Sequence, residues 1–266
     1  MKPKKKRVAN RYASIIESIF KRHYKQGVSE ILFHREDLVT TAKKLHMDLP
    51  KNIGDAIYSL RYRMPVPAFI AAAQPSGRQW VIEGRGKSQY AFRLVAVSRI
   101  SPNPALQTVK IPDATPEVVS AYALSDEQAL LAKVRYNRLL DIFLGVAAYS
   151  LQNHLRTTVA KMGQVEIDEV YVGIDKRGRQ FIIPVQAKGG SDSLSAVQTR
   201  QDIACCAEKF PQLLCRAVSA QFMADDLIAL FELCGSTDEV EIVEERHYKL
   251  VPADQITPED LRTYDR

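Results

Sequence analysis

The stretch Gln164–Gly190, "QVEIDEVYVGIDKRGRQFIIPVQAKGG", decides the fold of the second half of the chain. Two apolar runs flank a polar, glycine-containing turn, which predicts a β-hairpin. Side chains alternate in direction along a strand, so Glu166 and Asp168 share one face of the first strand. Gln186 and Lys188 likewise share one face of the second strand. Charged groups placed inside two apolar strands and aimed at one spot indicate a functional site.

The segments around this hairpin predict helices that cover a mixed sheet, an α/β layer. A capping box, Ser125 to Gln128, opens a helix that is expected to continue to about Val159. This helix would contain "SLQNHLR", where His154 either hydrogen-bonds within the core or contacts a DNA backbone. The segments after the hairpin are predicted as helix, strand, helix and then one or two strands, in the order "SLSAVQTRQDIACCAEKF", "LLCRAVSAQFM", "ADDLIALFELC" and "VEIVEERHYKLV".

The charge is divided unevenly along the 266 residues. Residues 1–100 contain 20 Lys and Arg against 7 Asp and Glu, a net charge of +13, and the remainder contains 17 against 24, a net charge of −7. A basic first part joined to an acidic second part indicates that the first part meets a polyanion. The alternative is a basic surface without a partner.

The first part has the pattern of a winged helix-turn-helix domain, predicted over residues 9–99. Helical spacing predicts helices over 9–25, 35–45 and 53–62, and "RQWVIEGRGKSQYAFRLV" predicts a β-hairpin with a basic tip. In such a domain the third helix enters the major groove and the hairpin follows the backbone. The candidate DNA-binding residues here are Lys51, Asn52, Ser59, Arg61, Arg63, Arg85 and Lys87. The alternative is a winged helix that docks protein only.

Two segments are predicted to lie outside the domains. Residues 1–8, "MKPKKKRV", are interpreted as a disordered basic arm that touches phosphates, with nuclear import as the alternative. Residues 100–119 contain four prolines and are interpreted as a linker. The four cysteines form no metal-binding pattern and indicate reduced thiols in a cytosolic protein. The sequence contains no apolar run of the roughly 18 residues that span a bilayer, and no signal peptide is expected.

Residues 120–266 resemble the PD-(D/E)xK nuclease superfamily, which includes most type II restriction endonucleases. That superfamily carries an Asp on one strand and an acidic-x-Lys pattern on the next. Here Ile167-Asp168 corresponds to the first element and Gln186-Ala187-Lys188 to the second. The context of the hairpin, a helix before it and a helix carrying Gln198 and Asp202 after it, supports the resemblance. The expected fold is therefore a restriction-endonuclease-like mixed sheet flanked by helices and preceded by the winged helix domain.

Two positions depart from the pattern of the superfamily. Ile167 replaces the usual proline, and Gln186 replaces the usual second carboxylate, which is a stronger ligand than an amide oxygen for a hard cation. Another acid is therefore needed for metal binding. Glu166 shares the strand face, and the resemblance implies that Asp141 joins from the preceding helix. Glu127 is the less favoured alternative because it lies within the capping box.

The resemblance implies metal-assisted phosphodiester hydrolysis with Mg²⁺, which Mn²⁺ can replace. Asp168 would be the main ligand, assisted by Gln186 and the carbonyl of Ala187. Lys188 would orient or deprotonate the attacking water. The alternative is a structural salt bridge between Asp168 and Lys188. Glu169 and Asp175 are expected to be solvated charges of the hairpin. Gln198 and Asp202 lie four residues apart on one helix face, and they either border the site and contact DNA or are solvated.

The leading hypothesis is a sequence-specific, restriction-type endonuclease that cuts double-stranded DNA as a homodimer. The resemblance also implies a cognate DNA methyltransferase as a partner, and the expected location is the cytoplasm of a prokaryote. One alternative is a transcriptional regulator whose α/β part binds a ligand or dimerises. Another is a repair or junction nuclease that recognises DNA structure rather than sequence.

Overall fold

A computed structural model describes most of the chain. The described residues are 4–49, 57, 66–86, 88–96, 100–122, 127–160, 162–189, 194–223, 227–235 and 240–264, with side chains from residue 12 onward. The chain divides into two compact units. Unit 1 comprises Met1–Val97 and Thr158–Gln164, and unit 2 comprises Ser98–Thr157 and Val165–Arg266.

The described residues of unit 1 include three helices with known bounds and a three-stranded antiparallel sheet with the strand order β1-β3-β2. Phe20 lies in the centre of its core, because its ring centroid is 5.1 Å from those of both Trp80 and Phe92. The elements are α1 (Lys4–His23), β1 (Glu30–His34), α2 (Arg35–Lys44), α3 (Ala68–Ala72), β2 (Arg78–Gly84) and β3 (Gln89–Ala96).

Two of the three helices and the hairpin expected in residues 9–99 are present in unit 1. The hairpin is β2 and β3, paired from Arg78↔Ala96 to Gly84↔Tyr90. The expected third helix, 53–62, lies outside the described residues except for Ile57, which is helical and buried. Residues 4–8 differ from the expected disordered arm, since α1 already begins at Lys4.

Unit 2 is built on an eight-stranded mixed sheet that is flanked by helices, as expected from the sequence. Its elements are β4 (Thr108–Pro112), α4 (Glu117–Tyr122), α5 (Glu127–Tyr136), α6 (Leu139–Leu144), β5 (Ala147–Val159), β6 (Gly163–Ile174), β7 (Gln180–Lys188), α7 (Ala196–Lys209), β8 (Leu214–Cys215), β9 (Ala217–Phe222), β10 (Leu227–Gly235), β11 (Val240–Val251) and α8 (Pro258–Tyr264). The strand order is β4-β11-β10-β9-β7-β6-β5, and β8 pairs with β7 beside this path.

The two faces of this sheet carry separate cores. On one face, Leu130 and Leu140 of α5 and α6 pack with Val185 and Leu230 of the sheet. On the other face, Ile203 of α7 packs against a cluster that contains Phe231 and Ala217. The strand β9 runs parallel to β7, with Val185 paired to Val218, and α7 lies between them in the chain. The hairpin β6–β7 is therefore held inside the sheet and covered by helices.

The long helix expected to reach Val159 is wrong. The helical segment ends at Leu144, where Gly145 adopts a left-handed conformation with φ 63°. The following residues form β5, the last strand of the sheet, whose side chains from Tyr149 to His154 are exposed. A strand with both faces in solvent carries no alternation of polar and apolar residues, and its pattern is easily taken for a polar helix face.

Two further expectations for unit 2 are corrected by the structure. "ADDLIALFELC" was expected to form a helix, but its apolar part is β10, which lies between β9 and β11. A strand buried on both faces is a continuous apolar run that periodicity does not distinguish from a helix. Within the expected linker 100–119, β4 joins the sheet and pairs in parallel with β11.

The cysteines and the helices agree with two simpler expectations. Cys205, Cys206, Cys215 and Cys234 are free thiols, and the first two are buried. Among the described residues, no helix is long and apolar enough to cross a membrane.

Candidate functional site

The hairpin β6–β7 fixes which side chains share a face. Its antiparallel register runs from Glu169↔Val185 to Ile174↔Gln180. The turn is held by Asp175, whose carboxylate accepts hydrogen bonds from the N–H groups of Arg177 and Arg179, both at 2.9 Å. Asp175 therefore organises the turn rather than serving only as a solvated charge.

The register places the positions of Asp168, Gln186 and Lys188 on the same face of adjacent strands. Glu169 and Val185 point to the opposite face, toward the core beneath α5 and α6. The sequence-based prediction of adjacent strands is confirmed. The positions that carry the carboxylate and the ammonium therefore meet at the end of the hairpin that is remote from its turn.

Asp168 lies where the ladder between β6 and β7 stops. Its Oδ2 accepts a hydrogen bond from the N–H of Ala187 at 2.9 Å, so a side chain takes the place of the next backbone partner. Burial raises the pKa of Asp168, while this hydrogen bond and the charge of Lys188 oppose the shift. Asp168 is thus a partly desolvated carboxylate held in place by a backbone group and influenced by a nearby cation.

Lys188 reaches from the end of β7 to the first residue of α5. Its Nζ donates to Oε1 of Glu127 at 2.9 Å, with side-chain exposures of 17% for the lysine and 38% for the glutamate. Glu127 also acts on Asp168, since its charge contributes to the raised pKa of that carboxyl group. Asp168, Lys188 and Glu127 therefore form a cluster of two carboxylates and one ammonium, called here the hairpin-end cluster.

Asp141, the acid favoured from the sequence, is placed differently. Its Oδ1 accepts from the N–H of Ala148 at 3.0 Å and pairs with Arg138. Asp141 also lies near Tyr171, which shares the face of Glu169 and not that of Asp168. The helix before the hairpin does supply an acid to the cluster, but that acid is Glu127.

Gln186 is buried and its amide is occupied by protein partners. Its Nε2 donates to the carbonyl of Glu166 at 3.1 Å and to Oδ2 of Asp202 at 2.9 Å. Its Oε1 accepts from Nε2 of Gln198 at 2.6 Å. Both amide hydrogens and one oxygen lone pair are therefore used. These contacts argue against Gln186 as a metal ligand and assign it to the join between β7 and α7.

Asp202 completes this join and is fully buried. Burial, its main influence, raises the pKa of Asp202 well above the usual range, and the charge of Asp168 adds to the effect. The neutral acid is therefore the favoured form. Its Oδ1 has no hydrogen-bond partner among the described residues. Of the two alternatives expected for Asp202, solvation is wrong, because α7 brings it beneath Gln186, where it is buried beside the site.

Glu166 is engaged by β5. Its Oε2 accepts from Nη2 of Arg156 at 3.1 Å, and its Oε1 lies 3.9 Å from Nδ1 of His154. Glu166 therefore faces two cationic or ionisable side chains of the neighbouring strand. Its position on the face of Asp168 agrees with the sequence analysis, but its side chain is directed toward β5.

His154 belongs to this site, although the sequence placed it in a buried helix. Its Nε2 lies 3.2 Å from Nε2 of Gln128, the neighbour of Glu127. Ser125, the first residue of the expected capping box, lies outside the described residues. The backbone of His154 is left-handed, with φ 50°, and its side chain is about half exposed. The charge of His154 also lowers the pKa of Asp168. The expected core hydrogen bond of His154 is therefore replaced by contacts at the open side of the site.

A fit for a divalent cation depends on the oxygens that the structure brings together. Mg²⁺ is bound in proteins through one or two carboxylates, with water and phosphate completing the shell. Asp168 and Glu127 supply two carboxylates, and Oδ1 of Asp168 has no hydrogen bond within the described part of the chain. No group of three or more His, Cys, Asp or Glu side chains in metal-binding geometry occurs among the described residues. Within the described chain, the hairpin-end cluster therefore brings together two carboxylates and no larger group of such side chains.

The candidate DNA-binding residues are only partly within the described structure. Arg85, at the hairpin of unit 1, pairs with Glu30, which neutralises part of its charge. Gln198 is half-buried and directs its amide nitrogen to Gln186 rather than to solvent. The remaining candidates, Lys51, Asn52, Ser59, Arg61, Arg63 and Lys87, lie outside the described residues.

The opposite face of the hairpin carries a second charged group. Glu169 is only 1% exposed, pairs with Arg135 and accepts a hydrogen bond from the hydroxyl of Tyr171. A cavity of about 320 Å³ lies beside this group, lined partly by Arg138 and Tyr149. The expectation that Glu169 is a solvated hairpin charge is wrong, because its parity directs it into the core.

Comparison of the chain with known protein families, with curated proteins and with solved structures found no match.

Proposed function

We propose that the protein is a metal-dependent endonuclease of restriction type that hydrolyses phosphodiester bonds in duplex DNA. The observation that carries the proposal is the hairpin-end cluster, in which Lys188 and Asp168 on adjacent strands are joined by Glu127 from the preceding helix. Asp168 and Lys188 are two of the positions on which the resemblance to PD-(D/E)xK nucleases rests, and Glu127 takes the place of the helix acid that the resemblance assigned to Asp141. A purely structural ion pair would not need a second, partly desolvated carboxylate beside it.

In this proposal each residue of the cluster has a separate task. Asp168 and Glu127 would hold a Mg²⁺ ion, for which Mn²⁺ can substitute. When bound, the ion supplies charge stabilisation at the phosphate and acidifies a coordinated water. The N–H of Ala187 fixes the Asp168 carboxylate, so the orientation of that carboxylate does not depend on the substrate. Lys188 orients the attacking water and offsets negative charge on the phosphate.

The residues around the cluster position it. Gln186, held by Asp202 and Gln198, ties β7 to α7 and keeps the backbone of Ala187 and Lys188 in place. The function of Gln186 in this proposal is therefore support and not metal binding. A restrained β7 lets the Lys188 side chain alone adjust when substrate replaces its contact with Glu127.

Duplex binding is assigned to unit 1, which we interpret as a winged helix domain. The support is its element order and the concentration of positive charge in residues 1–100. Binding to phosphates should weaken steeply as salt rises, because counterions are released from the DNA. Cleavage of both strands at a symmetric site would require a homodimer, and host DNA would require protection by a methyltransferase in the same cytoplasm.

The experiment is digestion of phage genomic DNA by the full chain with Mg²⁺ and with EDTA. Discrete fragments that disappear in EDTA and with Lys188→Ala are the expected result. Lys209→Ala is the matched control, because Lys209 pairs with its neighbour Glu208 on the surface of α7. Tight DNA binding without cleavage in any condition would favour the transcriptional regulator instead. Cleavage confined to branched DNA would favour the junction nuclease.

A further inference from the structure

His154 is the ionisable side chain on the open side of the hairpin-end cluster. It approaches the cluster from β5, whereas Asp168, Lys188 and Glu127 belong to β6, β7 and α5. Its two ring nitrogens are directed toward neighbours of the two site acids: Nε2 toward Gln128, next to Glu127, and Nδ1 toward Glu166, two residues before Asp168. The imidazole is thus bracketed by the same two elements that carry the proposed metal ligands.

The backbone of His154 indicates that this position is constrained. A left-handed conformation is uncommon for a residue with a Cβ and costs of the order of 1 kcal/mol or more, so it persists where surrounding contacts require it. His154 adopts this left-handed conformation, with φ 50°, in the middle of β5. The side chain nevertheless remains about half exposed, so no core packing accounts for the conformation. Strain of this kind is concentrated at functional sites.

The spacing of Glu166 and Asp168 along β6 relates the position of His154 to that of Asp168. Glu166 and Asp168 share a face and are two residues apart, which is roughly 7 Å in a strand. Nδ1 of His154 lies 3.9 Å from Glu166, and the charge of His154 acts on Asp168. A phosphate that extends from Asp168 along this face toward Glu166 is the substrate position from which a bridging oxygen would meet the imidazole. Lys188 acts on Asp168 from the other neighbouring strand, β7.

From this arrangement we propose that His154 is a catalytic residue that protonates the oxygen leaving the phosphorus. The inference rests on the proposed function of the hairpin-end cluster as a nuclease site. Hydrolysis needs a proton at the leaving oxygen, because an alkoxide is a poor leaving group, and histidine is the side chain most often used for such transfer near neutral pH.

The proton balance of the step is simple. The bond from phosphorus to the water oxygen forms as the bond to the leaving bridging oxygen breaks. The attacking water gives one proton to solvent through the side chains around it, and the imidazolium of His154 gives one proton to the leaving oxygen. The imidazole then takes a proton from solvent. One water is consumed, and a phosphate monoester and a hydroxyl group are produced.

Charged groups from four elements, β5, β6, β7 and α5, surround His154 or lie beyond Asp168. Glu166 and Asp168 face it from β6, Arg156 shares its contact with Glu166 from β5, and the Lys188–Glu127 pair lies beyond Asp168. The protonated form is the one that the step uses, so the rate contribution of His154 should decline as pH rises.

The test compares His154→Asn with the full-length wild-type protein. Asparagine tolerates the left-handed backbone and retains hydrogen-bonding groups, but it does not carry a transferable proton at neutral pH. The matched control is Lys209→Ala, because Lys209 is exposed on α7 in unit 2 and pairs with its neighbour Glu208. Thermal unfolding and duplex affinity are measured for each protein, so that a folding or binding defect is detected separately.

The deciding substrate carries sulfur in place of the bridging oxygen that the wild-type products identify as the leaving group. A thiolate leaves without a proton, because thiols have a pKa near 8.5. On ordinary DNA, kcat of His154→Asn should fall by about 10²- to 10⁴-fold, the usual contribution of general acid catalysis. On the sulfur-containing duplex, His154→Asn should cut at about the wild-type rate. The decline of kcat at alkaline pH that the wild-type protein shows should be absent from the variant.

Several results would overturn the inference. An equal loss on both substrates would assign His154 a structural role, and a loss confined to affinity would make it a phosphate contact. An unchanged kcat on ordinary DNA would remove it from the chemistry. If the wild-type protein cuts neither substrate with Mg²⁺, the proposed function itself fails and the inference fails with it.

Discussion

Asp168 and Glu169 are consecutive carboxylates on one strand, yet they lie in different environments. Glu169 points into the core, where Arg135 and Tyr171 occupy both of its oxygens. Asp168 points to the other face, where one backbone N–H binds it and Lys188, Glu127 and His154 act on it from three different elements. A carboxylate whose two oxygens are both engaged by protein groups is therefore interpreted as structural. A carboxylate with one oxygen left open among other ionisable groups is a candidate for chemistry.

Among the residues that surround Asp168 and Glu169, the largest effect is expected at Glu127, with Asp141 of the next helix as its control. Glu127→Gln should lower the cleavage rate by about 10²-fold or more, because it removes one of the two carboxylates that hold the ion and leaves an amide, which is a weaker ligand. Asp141→Asn should leave the rate per folded molecule nearly unchanged, since Asp141 contacts Arg138 and Ala148 instead. Single-turnover cleavage of a duplex with Mg²⁺ measures both variants. The reverse order would return the metal site to Asp141.

The next effect concerns stability on the opposite face. Glu169→Gln should lower the free energy of unfolding by about 2–3 kcal/mol, because it leaves Arg135 without its buried partner. This figure is below the usual value for breaking a buried ion pair, since the arginine is partly exposed. Cleavage per folded molecule should persist. Urea unfolding and the single-turnover rate separate the two properties, and a rate loss without destabilisation would contradict the structural assignment of Glu169.

A smaller effect is expected at Gln186, which contacts both Asp202 and the backbone of Glu166. Gln186→Glu should destabilise the fold by about 1–3 kcal/mol, because it removes the donor to the carbonyl of Glu166 and places a second acid against Asp202. The destabilisation should grow as pH rises and both acids tend to ionise. Urea unfolding at several pH values measures it. An unchanged stability together with tighter Mg²⁺ dependence of cleavage would show instead that this position faces the ion.

The smallest effect is the pH dependence contributed by Asp202. Its pKa is raised in the folded state, so the folded protein holds this proton more tightly than the unfolded chain does. The stabilisation is complete below the unfolded pKa and is lost as pH rises toward the raised folded pKa. Asp202→Asn should remove this loss while keeping a side-chain oxygen that accepts from Gln186. The difference in urea midpoint between variant and wild type should therefore increase from pH 5 to pH 8, and a constant difference would contradict the buried neutral acid.

The hairpin and its parity could be predicted from the sequence because they depend on neighbouring residues. The glycine turn and two apolar runs define β6 and β7, and alternation then places Asp168, Gln186 and Lys188 on one face. The same alternation also contained the correct position of Glu169, which has the parity of Ile167 and Tyr171. The turn-side location suggested a solvated charge, but burial of that face overrides it.

The contacts that complete the site could not be predicted in the same way. Glu127, Asp202 and His154 reach the cluster from α5, α7 and β5, and their approach depends on how these elements pack. Local signals existed for two of them. Gln198 and Asp202 are four residues apart on one helix face, and Glu127 begins its helix. For His154 no local signal was present, because its strand shows no polar alternation.

Asp168 is proposed as a carboxylate of the active site, and the rate at which Asp168→Asn cleaves DNA is the decisive measurement. The substitution preserves size and one oxygen, so the acceptor for the N–H of Ala187 remains, while the charge that holds a cation is removed. Mg²⁺-dependent cleavage should fall by about 10³-fold or more. The unfolding midpoint and the duplex affinity should stay close to those of the wild type. A folded Asp168→Asn protein that cuts duplex DNA at the wild-type rate would contradict this proposal.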